Sequence, residues 1–150
     1  MAPINDFHFV AAKLDEVGLK FGARIFEVLI RLLFQASIPG KARIAKTVFF
    51  HHGGLGVVIN SHSIIEHDCE IGVHVVLGGK TPLIGAPHLE RGVIVHSGAK
   101  IIGPICIGAG SVVAANAVVI CDVPPNCLVA GVPAVIKRRD LNTSQYRRLA

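Results

Sequence analysis

Two adjacent histidines, His51 and His52, stand directly ahead of a glycine-rich run, Gly53-Gly54-Leu55-Gly56. Histidine titrates near neutral pH, so it can take the proton of a hydroxyl while that oxygen attacks an acyl carbon. Such a base contributes about 10²–10⁴-fold to a rate. Glycines beside it let backbone N–H groups come close to a developing negative charge. Taken alone, either imidazole would be an ordinary polar surface group. Seven of the eight histidines fall between positions 51 and 96, which raises metal binding as a second chemistry. The four cysteines, Cys69, Cys106, Cys121 and Cys127, show neither a CxxC pair nor a dense disulfide framework. They read as reduced, partly buried thiols of a cytoplasmic protein.

The elements that would hold these histidines follow from a period of six. Stepping from Ile59 gives Ile65, Ile71, Leu77, Leu83, Leu89, Val95, Ile101, Ile107, Val113 and Val119, so all eleven positions are Ile, Leu or Val. The residues two before them are mostly small or compact, among them Ser63, Cys69, Ala99, Ser111 and Ala117. Six residues are not a whole number of helical turns, and the frequent turn formers forbid one long strand. Short strands joined by tight corners satisfy both constraints, with one aliphatic side chain pointing inward per side and each coil pairing with the next. The period fails once. Ile38, Ile44 and Phe50 follow it, but Phe50 to Ile59 is nine residues, and His51 and His52 open that misfit. Departures of this kind mark functional positions.

Three segments result. Residues 1–37 form a helical segment, because Phe7, Val10, Leu14, Val17, Phe21, Ile25, Leu29 and Leu32 recur every three or four residues. Gly18 and Gly22 divide it into two helices, read as a packing pair. Residues 38–136 form the six-residue repeat, and residues 137–150 a basic tail with Lys137, Arg138, Arg139, Arg147 and Arg148. The chain is 51% apolar with a net charge of +5, too hydrophobic for disorder. Its basic residues lack interleaved aromatic side chains, so nucleic-acid binding has no support. The start of the chain does not read as a signal peptide, and Ile25 to Phe34 is too short to span a bilayer and carries Glu27 and Arg31.

Beyond the period, a series of motifs resembles serine acetyltransferase, especially its short bacterial relatives. The series is Phe49 to Ile59, Val76-Leu77-Gly78-Gly79, Gly98 to Ile105, Val123-Pro124-Pro125 and Gly131-Val132-Pro133-Ala134. The resemblance covers roughly residues 25–136. It implies a mainly β fold, a left-handed parallel β-helix with a short N-terminal helical segment, assembled as a homotrimer with sites between subunits. It also implies transfer of acetyl from acetyl-CoA to a hydroxyl, with no metal. His52 falls on the position of the general base, and His51 and His88 fall on the acceptor side. Gly79, Ser97, Ala99 and Ala115 fall along the donor, and Lys137 or Arg138 would meet its phosphates.

Several positions depart from that family's pattern. Ser37 stands where an acidic residue orients the base, and His51 stands where an aspartate precedes it. Gly85-Ala86 precede Pro87 where Arg-His is usual, and His88 follows. L-Serine is therefore less firmly implied than acetyl transfer. A sugar hydroxyl is the alternative acceptor, and a non-catalytic trimeric scaffold is the alternative from another class. Solenoids of γ-class carbonic anhydrases hold zinc with three histidines, two of them five residues apart. His62 and His67 have that spacing, but Phe26 stands at the third position; His52 and His88 have the longer spacing, but position 93 is valine.

Overall fold

A computed structural model describes residues 3–147. Two helices open it, α1 (Pro3–Glu16) and α2 (Lys20–Phe34). Gly18, at φ +79°, makes the turn between them, a conformation that costs glycine no side-chain clash. Gly22, the other expected break, lies inside α2. A Cβ there would sit 3.2 Å from Leu14 Cδ1, so its bareness lets the helices approach.

Four coils follow, each contributing three short strands. They are β1 (Arg43–Ile44), β2 (Phe49–Phe50) and β3 (Val58–Ile59); β4 (Ile64–Ile65), β5 (Glu70–Ile71) and β6 (Val76–Gly78); β7 (His88–Leu89), β8 (Ile94–Val95) and β9 (Lys100–Ile102); β10 (Cys106–Ile107), β11 (Val112–Val113) and β12 (Val118–Val119). A hairpin of β13 (Leu128–Gly131) and β14 (Ala134–Arg138) closes the stack. Corresponding strands of successive coils pair in parallel, giving three sheets: β1-β4-β7-β10, β3-β6-β9-β12, and β2-β5-β8-β11 continued by β13 and antiparallel β14. The protein is a mainly β, parallel β-solenoid of about four turns carrying two N-terminal helices, as the six-residue period predicts.

The period works through burial. Ile59, Ile65, Ile71, Leu77, Leu89, Val95, Ile101, Ile107, Val113 and Val119 are all at most 2% exposed and share one core with Cys69, Val75, Ala99 and Ala117. Leu83 is the exception, at 55% exposure. It lies on a loop between β6 and β7, where Leu77 pairs with Ile101 and Leu89 with Ile65. Twelve residues separate Leu77 from Leu89, so the loop preserves the phase of six without contributing a side of the coil.

Corners close by left-handed residues stacked in columns. On the corner between the β2-containing and β3-containing sheets, Gly56, His74, Gly98 and Asn116 all have positive φ, and backbone bonds His74 N–H to Leu55, Gly98 N–H to Val73 and Asn116 N–H to Ser97 link the coils. Lys137 and Arg138 belong to β14, and the chain then returns so that Arg147 Nη1 donates to the Asp68 carbonyl at 3.1 Å. Arg148, named above with the basic tail, lies outside the described residues.

Candidate active site

The nine-residue misfit is an irregular turn over His51–Gly54, inserted between β2 and β3. His52 (φ 50°) and Gly53 (φ 69°) are both left-handed there, and Val57 N–H closes the turn on the Gly54 carbonyl at 3.0 Å. A left-handed histidine is uncommon and costs energy that the surroundings must offset. The helices provide the bracing. Ile4 of α1 is fully buried against Gly54, where a Cβ would lie 2.9 Å from Ile4 Cδ1. Asn5 Nδ2 donates to the Val48 carbonyl at 2.6 Å, and Phe34 of α2 packs at Gly53.

The turn delivers His51 and His52 to a cavity of about 180 Å³, shared with Glu70, His96, Ser97 and Arg147. Glu70 projects from β5 with its side chain only 5% exposed. Its Oε2 lies 3.1 Å from His51 Nε2, and its Oε1 lies 3.6 Å from Arg147 Nη1. The His51 ring stands edge-on to Phe49, with centroids 4.9 Å apart. Burial, and then repulsion from His51, hold the His96 imidazole below its ordinary range, while Glu70 acts in the opposite sense. His52 is exposed at the mouth. The arrangement can hold one imidazole by a buried carboxylate beside a second, freer one. Proton transfer to or from a hydroxyl is the chemistry it suits.

The other expected residues are distributed unevenly. Ser97 and Ala115 are exposed on successive coils of the same corner as the turn. Gly79 is also exposed, but it follows β6 on the far side of the β3-β6-β9-β12 sheet. Ala99 sits differently from Ser97 and Ala115. Its methyl is fully buried in the core, its N–H donates to His96 and its carbonyl accepts from Val76, so its smallness serves the corner. Lys137 lies at the register shift between Ile136 and Arg138. Five strand spacings separate β14 from β2, roughly 24 Å, so only a long ligand reaches both.

His88 is not with the histidine pair. It projects from β7 on another sheet, where its Nε2 lies 2.8 Å from Glu66 Oε1. There it borders a larger concavity of about 1010 Å³ between α1 and the β1-β4-β7-β10 sheet. Size alone would favour that groove, yet the converging histidines and buried carboxylate lie in the smaller one. Ser37, at the position where an acid would orient His52, accepts from Arg31 Nη2 at 3.4 Å. His62 stays beside Asn60, and His67 beside Thr47. Among the described residues, no group of three or more His, Cys, Asp or Glu side chains could hold a metal ion. Sequence reasoning missed Glu70, His96 and Arg147; of these, only an acidic residue at the outward position before Ile71 was open to notice.

No family model matches the chain. Its sequence is 38% identical over 128 residues to serine acetyltransferase of Synechococcus elongatus, covering 84% of this chain and 52% of that protein. The Mycobacterium tuberculosis serine acetyltransferase is 38% identical over 131 residues, with 86% and 57% covered. The solved serine acetyltransferase of Vibrio cholerae superposes with a TM-score of 0.86 at 35% identity, over 91% of this chain and 54% of that one. A serine acetyltransferase solved in complex with CoA gives 0.80 at 32% identity, over 87% and 53%. This chain is serine acetyltransferase-like. It spans about half the length of the curated relatives it matches. In this serine acetyltransferase-like chain the matched part includes the solenoid, and no helix among the described residues is long and apolar enough to cross a membrane.

Proposed function

We propose that the protein is an acetyl-CoA-dependent O-acetyltransferase that moves acetyl from the thioester to an acceptor hydroxyl. The observation that carries this reading is the inserted turn His51–Gly54, which brings two histidines to one cavity with a buried carboxylate. One of the two histidines takes the hydroxyl proton, and the resemblance assigns that role to His52. The acceptor alcohol adds to the thioester carbon, the carbon–sulfur bond breaks, and the proton passes to the departing thiolate. Ser97 and Ala115 flank the donor beside the histidine turn. Gly79, at the other end of the β3-β6-β9-β12 strands, would offer its backbone N–H to a thioester oxygen only across a subunit boundary. Lys137 meets the donor's phosphates.

Serine is the acceptor that the relatives' names suggest, and a solved relative is described as a complex with cysteine. Sugar hydroxyls are the alternative, because His51 stands where the family's pattern places an aspartate. A homotrimer would complete a cavity that one chain leaves open, with the partner's groups, His88 among them, reaching the acceptor. The unpaired cysteines support a reducing, cytoplasmic setting; Cys69 and Cys127 are buried and free.

Thiol release from acetyl-CoA in the presence of L-serine, and separately of a sugar panel, tests the reading. Release that depends on one acceptor class supports it. A folded protein that neither binds CoA nor releases thiol with any hydroxyl contradicts it.

A further inference from the structure

Among the described residues nothing covers the outer face of α2. The inner face is occupied: Ala23 and Ile30 are buried, Phe26 meets the Phe7 ring, and Phe34 packs at Gly53. On the opposite side Phe21, Ile25, Val28 and Leu32 follow one another at steps of four, three and four residues. A helix of 3.6 residues per turn sets them within roughly 60° of one another. All four are exposed, Phe21 to 83% and Leu32 to 71%, and Val17, Leu19 and Leu33 beside them are exposed as well. A stripe that is apolar along its length and open to water marks an interaction surface.

Charge decides what the stripe meets. Lys20, Arg24 and Arg31 are exposed and fall on one flank of it. Glu27 is the only acidic residue of α2, and its Oε1 accepts from the Gly40 N–H of the solenoid at 2.8 Å. Asp15 and Glu16 of α1 border the groove between α1 and the solenoid instead. A second copy docked through α2 would bring three further cations, with its one acid already engaged, and like charges at an interface oppose association. A layer of anionic lipid headgroups supplies the missing charge, and the acyl boundary beneath it takes the stripe.

We propose that α2 docks on an anionic membrane surface. The helix lies in the plane of the headgroups, with Phe21, Ile25, Val28 and Leu32 turned into the acyl boundary and Lys20 and Arg24 against lipid phosphates. It does not cross the bilayer, because 15 residues are too few to span the hydrocarbon core. The docking face is separate from the histidine cavity, and it stands whether or not the chain transfers acetyl.

The test sediments the full chain with vesicles of phosphatidylglycerol and phosphatidylcholine in equal parts, and with vesicles of phosphatidylcholine alone. The wild type should bind the anionic vesicles about tenfold or more tightly than the neutral ones, and the difference should vanish at about 1 M salt. Phe21→Glu/Leu32→Glu, at two exposed positions, should keep the thermal transition and weaken vesicle binding about tenfold or more. Lys20→Glu/Arg24→Glu should weaken binding to the anionic vesicles by about tenfold or more. The chain has no tryptophan, so Phe21→Trp adds a direct readout: its emission should shift to the blue when anionic vesicles are added. No sedimentation with either vesicle, equal binding to both, binding retained in either double variant, or an unshifted emission overturns the proposal. A fall in the protein's mass at sedimentation equilibrium on Phe21→Glu/Leu32→Glu also overturns it, because a second copy would then be what covers the stripe.

Discussion

At His8 the ring Nδ1 is buried on α1 without a hydrogen-bond partner. Burial pushes the imidazole from 6.5 down to about 4, outweighing a hydrogen bond to the Ala42 backbone that raises it. The unfolded chain therefore binds a proton before the folded one does. Stability from this group is complete above pH 6.5 and is lost as pH falls toward 4. Urea unfolding at pH 5 should show about 2 kcal/mol less stability than at pH 7, and His8→Leu should flatten that slope. An unchanged slope in His8→Leu would mean that other groups set it. Gly98 illustrates the corners: at φ +75° its Cβ would collide with Asn116 Oδ1. Gly98→Ala should destabilise the solenoid by about 1–3 kcal/mol in the same assay, since both strain and crowding oppose it.

Among the elements, the loop between β6 and β7 and the turn between β2 and β3 are both insertions, but only the turn disturbs the period. A loop of six extra residues returns the chain in phase, and Leu83 matches the pattern while lying exposed. Deleting residues 80–85 should therefore leave a cooperative solenoid whose melting temperature stays within about 5 °C of the parent, checked by circular dichroism. Loss of the transition would show that the loop holds the coils together. The strand below the turn behaves differently. Phe50 is 2% exposed under the turn, and Gly54's missing Cβ would sit 3.5 Å from its ring. Phe50→Ala should cost about 3–5 kcal/mol in urea unfolding and lower activity, because the support of the turn is removed with the ring.

For the molecule as a whole, the solenoid was legible because its core repeats one demand, an aliphatic side chain every six residues. Leu83 shows the limit of that signal, since period alone cannot tell an inward residue from one on a phase-preserving loop. The histidine turn was legible as a break in phase. Its partners were not, because Glu70, His96 and Arg147 come from β5, from after β8 and from the C-terminal segment, 19 to 96 residues away from His51. Stacking of coils, which no local pattern encodes, makes them neighbours. Ala99 shows a related limit: a small residue fits a ligand groove and a tight corner equally well in sequence, and its burial in the corner was not legible there. The most direct test of the central claim is acceptor-dependent thiol release from acetyl-CoA by the wild type and by the His51→Ala/His52→Ala double variant. The account predicts release by the wild type with a hydroxyl acceptor and a loss of about 10²–10⁴-fold in a folded double variant. Undiminished release by the double variant would contradict it.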